Sequence, residues 1–150
     1  METTGDGFAY DVFLSYRHRD PEKAWVRKTL VSRLRGEGLR VCLDVDDFRP
    51  GEALIHEMER AVEESRYTAA VLTPAYLESN FTDFENLVAQ HLGLEQSERR
   101  LIGILREPCR PRLGVRSLLM LDMTDDEAFE SAVARLVAQL RSPPGRKASG

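Results

Sequence analysis

Apolar runs rich in β-branched and aromatic residues alternate along this chain with segments whose apolar positions recur at helical spacing. Runs of the first kind read as strands covered on both faces, and segments of the second kind as helices with one buried stripe. Ala9 to Tyr16 is the first strand, and it ends in the polar cluster Arg17-His18-Arg19-Asp20. Asp20 suits a helix cap, and Pro21 suits the first turn that follows. Val26, Leu30 and Leu34 then recur one turn apart, a stripe that runs until Gly36 and Gly38 stop the helix. Arg40 to Asp44 is the second strand. A polar loop with Asp46, Asp47, Phe48, Arg49, Pro50 and Gly51 leads to a second helix, in which Leu54, Met58, Ala61 and Val62 share a face.

Tyr67 to Thr73 reads as a fully buried central strand closed by Pro74, with a short turn before a helix that begins near Thr82 or Asp83. Leu101 to Leu105 is the fourth strand. A Pro/Arg-rich connection, Arg106 to Arg116, leads to a short apolar run from Leu118 to Leu121. Asp122 to Asp125 opens the last helix, whose buried stripe is Phe129, Val133, Leu136, Val137 and Leu140. Five strands joined by right-handed helical crossovers predict an α/β fold. It is a flavodoxin-like, doubly wound parallel sheet in the order 2-1-3-4-5 with helices on both faces. In such a sheet the ligand crevice lies outside the carboxyl ends of strands one and three. The chain divides into a disordered N-terminus over 1–7, one domain over 8–141 and a linker or disordered tail over 142–150, with no internal repeat.

A chain of 150 residues is one ordinary domain, which buries about 68–70% of the surface its unfolded form exposes. With 42% hydrophobic and 31% charged residues, the balance is that of a folded globular protein. No apolar run reaches the roughly 18 residues that a membrane helix needs, so no membrane contact is expected. The segment Met1-Glu2-Thr3-Thr4-Gly5-Asp6 lacks the basic and apolar regions of a secretory signal, which makes the expected location cytoplasmic. A net charge of −4 gives no global reason to expect direct contact with nucleic acid. Cys42 and Cys109 show neither metal-like spacing nor a disulfide framework, so no metal is expected.

Several chemistries that this topology supports need residues the chain does not place at the strand ends. A phospho-receiver needs acidic residues after strand one and a phosphoacceptor Asp ending strand three, where Arg17-His18 and Thr73-Pro74 stand. A phosphate-cradling glycine loop needs glycines in the first turn, but Gly5 and Gly7 precede any strand. His56-Glu57 lacks the second histidine of a zinc-protease helix, and Ser15 and Ser79 lack the glycine-flanked elbow of a hydrolase nucleophile.

Three segments carry a resemblance to a known family. Tyr10-Asp11-Val12-Phe13-Leu14-Ser15-Tyr16, followed by Arg17, resembles the first box of TIR (Toll/interleukin-1 receptor homology) domains. Asp44 followed by Arg49-Pro50-Gly51 resembles the second box and its loop. Ser79-Asn80-Phe81-Thr82-Asp83-Phe84-Glu85 is similar to the family's Ser-x-Trp-Cys-x-x-Glu segment, with Phe81 in place of the tryptophan and Thr82 in place of the cysteine. The resemblance runs from about Phe8 to Leu140. It implies a family in which many bacterial, archaeal and plant members cleave NAD+ while many receptor and adaptor members assemble signalling complexes. On the bacterial NAD-cleaving pattern, Glu85 is the catalytic carboxylate. Arg17, His18, Asp44, Phe48, Tyr76 and Phe81 then line the substrate, and Asp46, Asp47, Phe48, Arg49, Pro50 and Gly51 form an assembly loop. NAD+ is the substrate and no other cofactor is implied. Other TIR domains are the implied partners, through head-to-tail assembly, and a C-terminal sensor domain is a candidate neighbour in a longer protein.

Elementary chemistry is consistent with that assignment. Nicotinamide leaves the ribose as a neutral group and needs no general acid. Positive charge then develops on the ribose, and a carboxylate held against the ribose hydroxyls stabilises it more than the ground state. Water yields ADP-ribose, and attack from within the same molecule yields a cyclic isomer. A planar guanidinium at Arg17 suits the phosphates, and Phe48, Tyr76 and Phe81 suit stacking on nicotinamide or adenine. Each role has a structural competitor: a helix-terminal charge for Glu85, a solvated loop charge for Arg17, a hydrophobic staple for Phe81 and a local cap for Asp44. Three functions follow: an NAD+ hydrolase or cyclase in antiphage defence activated by self-assembly, a non-catalytic scaffold, and a mimic that binds host TIR domains.

Overall fold

A computed structural model describes residues 7–43, 51, 54–79, 100–109 and 119–142. The first strand, β1 (Tyr10–Ser15), leads into a continuous helical run made of α1 (Glu22–Ala24), a π-type stretch (Trp25–Leu30) and α2 (Val31–Gly36). Then follow β2 (Val41–Cys42), α3 (Leu54–Glu64), β3 (Ser65–Leu72) and α4 (Pro74–Ser79). The chain closes with β4 (Leu101–Leu105), β5 (Leu119–Asp122), a short 3-10 turn (Asp126–Ala128) and α5 (Phe129–Leu140). All five strands pair in parallel in the order β2-β1-β3-β4-β5, as the alternation of runs and stripes requires. Among the described residues, no helix is long and apolar enough to cross a membrane.

Strand alternation splits the core between the two faces of the sheet. Val12 and Leu14 of β1 pack with Val26, Leu30 and Leu34 of the first helical run and with Val133, Leu136 and Leu140 of α5. Phe13, between them in sequence, packs on the other face with Ala61 and Val62 of α3 and Tyr76 of α4. Every residue of β3 is buried, as expected of a central parallel strand.

Helix ends account for most differences from the sequence reading. Gly36 still lies within α2. The stop is Gly38, whose φ of +85° is a left-handed conformation that glycine adopts without a Cβ penalty. Gly38 N donates to Arg35 O (3.0 Å) and Leu39 N to Leu34 O (3.3 Å), a Schellman closure. Pro21, not Asp20, holds the cap position of the first run, and Asp20 supports that start from one residue earlier, its Oδ1 accepting from Ala24 N at 3.1 Å. At the last helix, Asp125 Oδ1 accepts from Glu127 N at 2.9 Å, so the acidic stretch opens the helix as expected. Pro74 corrects the reading of the third strand's end. It does not introduce a turn but begins α4 directly, with Thr73 as cap, because Thr73 Oγ1 accepts from Tyr76 N at 3.1 Å. The helix expected from Thr82 or Asp83 and both terminal segments, 1–6 and 143–150, lie outside the described residues.

Charges lock the amino-terminal end of the sheet. Asp11 accepts from Arg40 N (2.7 Å) and from Arg40 Nη2 (2.9 Å), with the Arg66 guanidinium 3.7 Å away. Arg66 Nη1 also caps α5 through Leu140 O at 2.8 Å. Burial by itself raises the Asp11 carboxyl, but the hydrogen bonds and charge of Arg40, with the charge of Arg66, override it and hold the group below its ordinary value of 3.8. Stabilisation from this carboxylate is therefore complete above pH 3.8 and is lost as pH falls through the lower folded value. Asp11→Asn should reduce stability at neutral pH and flatten the acid limb of the urea-midpoint profile below that pH. An unchanged acid limb would show that Asp11 does not carry it.

Candidate functional site

The carboxyl ends of β1 and β3 lie side by side, with Leu14 opposite Ala69 and Ser15 opposite Ala70. From β1 the chain passes to the α1 face of the sheet, and from β3 it passes to the α3 face. Polar side chains close over the divergence. Thr73, fully buried, uses Oγ1 twice, accepting from Tyr76 N and donating to Glu22 Oε2 at 2.7 Å. The other oxygen of Glu22 pairs with Arg17 Nη1 at 3.3 Å. Tyr76 returns the network to β1, its hydroxyl sharing a 2.7 Å hydrogen bond with Ser15 Oγ. Four elements are thus tied together around one carboxylate.

Glu22 is only 3% exposed although it is a charged residue in the first turn of a helix. It occupies the position one turn before Val26, so the buried stripe of the first helical run starts with a carboxylate. Burial of an ionised group demands a counter-charge and hydrogen bonds, which Arg17 and Thr73 supply. Glu22 also borders a pocket of about 280 Å³, lined as well by Pro21, Trp25, Arg106, Glu107, Pro108 and Thr124. The Arg106 guanidinium lies 4.5 Å from the Trp25 ring centroid and donates from Nη1 to Met123 O (3.0 Å) and Asp126 Oδ1 (2.7 Å).

The expected site residues fall into three groups. Arg17 and His18 leave the end of β1 as expected. Arg17 is partly exposed, and His18 is exposed with its ring centroid 4.5 Å from that of Tyr16. Tyr76 is a correction. Its side chain is fully buried in the α3-side core, burial pushes its phenol well above the ordinary range against the Ser15 hydrogen bond, and no ring face is open for stacking on a base. It buttresses β1 instead. Asp44, Asp46, Asp47, Phe48, Arg49, Pro50, Phe81 and Glu85 lie outside the described residues. Gly51, at the end of the expected assembly loop, is exposed with a φ of +86°, which strains any residue that carries a Cβ. Glu22 and Thr73 are the residues that sequence reasoning passed over. An acidic residue in register with an apolar stripe was the available signal for Glu22.

Comparison with known proteins gives consistent results. A family model described as "TIR domain" matches residues 12–137. The chain is 31% identical over 108 residues to human Toll-like receptor 6, a match that covers 72% of this chain and 13% of the receptor. It therefore spans about an eighth of the length of that curated relative. Among solved structures, the TIR domain of a Toll-related receptor from Hydra magnipapillata superposes with a TM-score of 0.74 at 25% identity, covering 89% of this chain and all of that one. A metazoan TIR-STING receptor from C. gigas, in complex with 2',3'-cGAMP, shares the fold with a TM-score of 0.75 at 24% identity, over 92% of this chain and 42% of that one.

Removing the Thr73 hydroxyl tests the network directly. Thr73→Val keeps the shape but removes the hydroxyl that serves both Tyr76 N and a buried Glu22 oxygen, and should cost about 1–3 kcal/mol in denaturant unfolding. Thr73→Ser should cost less. Equal stability of Thr73→Val and the parent chain would show that the hydroxyl does not hold the site together.

Proposed function

The chain belongs to the TIR domain family, and from that premise we propose that it cleaves NAD+ at the nicotinamide–ribose bond. The products are nicotinamide and either ADP-ribose or a cyclic isomer. One observation supports the reading above the others: Arg17, Glu22 and Thr73 converge at the carboxyl ends of β1 and β3, the switch point where an open α/β sheet takes ligands. In sequence, α4 (Pro74–Ser79) is followed by the segment that ends at Glu85.

In this mechanism Arg17 takes the pyrophosphate, a role for which a planar guanidinium with paired donors is suited. His18 lies beside it, and Phe48 and Phe81 supply aromatic surface for the bases. Glu85 stabilises the positive charge that develops on the ribose as nicotinamide leaves, and Asp44 binds a ribose hydroxyl or shapes the loop after the second strand. NAD+ is the substrate, and the reaction uses no further cofactor. The loop from Asp46 to Gly51 docks on a neighbouring TIR domain in a head-to-tail assembly that completes the site. The setting we infer is the cytoplasm of a bacterium, in antiphage defence.

A second reading is favoured by the relative named above, which is a receptor. In that reading the domain is a scaffold that acts through TIR–TIR association alone. Incubating concentrated protein with NAD+ and separating the products by chromatography distinguishes the two. Nicotinamide release should appear, fall at least about a hundredfold in Glu85→Ala, and decline more steeply than enzyme concentration on dilution. No release under assembling conditions would leave the scaffold. Phe48→Ala should weaken self-association in sedimentation, and unchanged sedimentation would remove the loop from the assembly contact.

A further inference from the structure

We propose that Glu22 is a positioning residue, whose buried carboxylate holds the Arg17 guanidinium at the carboxyl end of β1 in the place from which it takes the dinucleotide's pyrophosphate. This rests on the NAD+ reading and adds to it a residue that touches no substrate. Arg17 stands in the coil between β1 and α1, with its side chain 27% exposed. An arginine in such a segment spreads over many rotamers, and an anion that recruits it must first gather them. Glu22 removes that cost in advance. It comes from the opposite end of the connection and is itself immobilised, being 3% exposed and hydrogen-bonded by the buried Thr73 at 2.7 Å. Its contact engages one terminal nitrogen, Nη1, at 3.3 Å. That is longer than the 2.9 Å pair of Arg40 with Asp11 at the structural end of the sheet. The guanidinium is tethered without its whole hydrogen-bonding edge being consumed.

Stability alone does not explain a carboxylate here. Glu22 continues the stripe of Val26, Leu30 and Leu34, where an apolar side chain would extend the core. Replacing a buried ion pair with packed apolar groups is often neutral or stabilising. The charge is better accounted for by what it does to its two partners. Thr73 fixes it to the end of β3, and it fixes Arg17 to the same point, so the two strand ends that form the crevice share one anchor.

The test is a double-mutant cycle on the whole chain, read by NAD+ kinetics and by calorimetric binding of ADP-ribose. Glu22→Gln retains an acceptor for Thr73 but loses the charge that holds Arg17. It should raise KM for NAD+ and weaken ADP-ribose binding by about tenfold, with kcat within about twofold, because phosphate contacts serve ground and transition states alike. Glu22→Asp, which keeps the charge, should recover part of the loss. In an Arg17→Ala background, Glu22→Gln should add nothing. An effect of equal size in both backgrounds, or a fall in kcat with unchanged KM, would make Glu22 a purely structural residue and overturn the proposal. So would unchanged KM and ADP-ribose binding in Glu22→Gln, while the NAD+ reading survived. If the parent chain itself neither bound ADP-ribose nor released nicotinamide, the NAD+ reading would fall and the positioning role with it.

Discussion

Two neighbouring parallel strands that send their chains to opposite faces of a sheet must leave a gap at their carboxyl ends, because no backbone crosses between them there. In this protein the strands are β1 and β3. The first delivers the chain to the helical run that packs with α5, and the second delivers it to α4 on the opposite face. Polar groups at the divergence need partners, because Thr73 and Glu22 are buried there. A single carboxylate, Glu22, meets that need by bonding to Thr73 from one side and Arg17 from the other. The divergence is a consequence of topology, and the Arg17–Glu22–Thr73 network satisfies polar groups that the topology brings together there.

The two ends of the sheet divide their labour. At the amino end, Asp11, Arg40, Arg66 and Arg100 form ion pairs and hydrogen bonds to backbone carbonyls that join strand starts to helix ends. Those arginines are consumed by structure. At the carboxyl end Arg17 is tied to Glu22 by one contact that leaves it partly exposed. An arginine whose work is to bind an anion belongs in the second setting rather than the first.

Strand number, order and the two-sided core were legible because buried parallel strands read as unbroken apolar runs such as Tyr67 to Leu72, and because stripes such as Val133, Leu136, Val137 and Leu140 have one helical reading. What misled was local. Thr73-Pro74 looks like a strand terminator, yet the same dipeptide is also a cap followed by a favoured first helical residue, and only tertiary packing chooses between them. Tyr76 looked like a stacking surface because its position near the strand end is visible in sequence while its inward orientation is not. Glu22 was hidden by the habit of reading charge near a helix start as solvent-facing. Its spacing from Val26 is visible in the sequence, but its counter-charge at Arg17 comes from across a loop. Of the residues that the family resemblance brings to the site, Arg17 and His18 follow the end of β1, while the roles of Arg17, His18 and Glu85 rest on the motif.

On the proposed reading, the switch point between β1 and β3 receives the dinucleotide. Backbone amide chemical shifts recorded while ADP-ribose is added to the isotopically labelled chain address it most directly. Shifts concentrated on residues 15–22 and 73–85 would match this account. Shifts centred on the Asp11, Arg40 and Arg66 end of the sheet, or none at millimolar ligand, would contradict it.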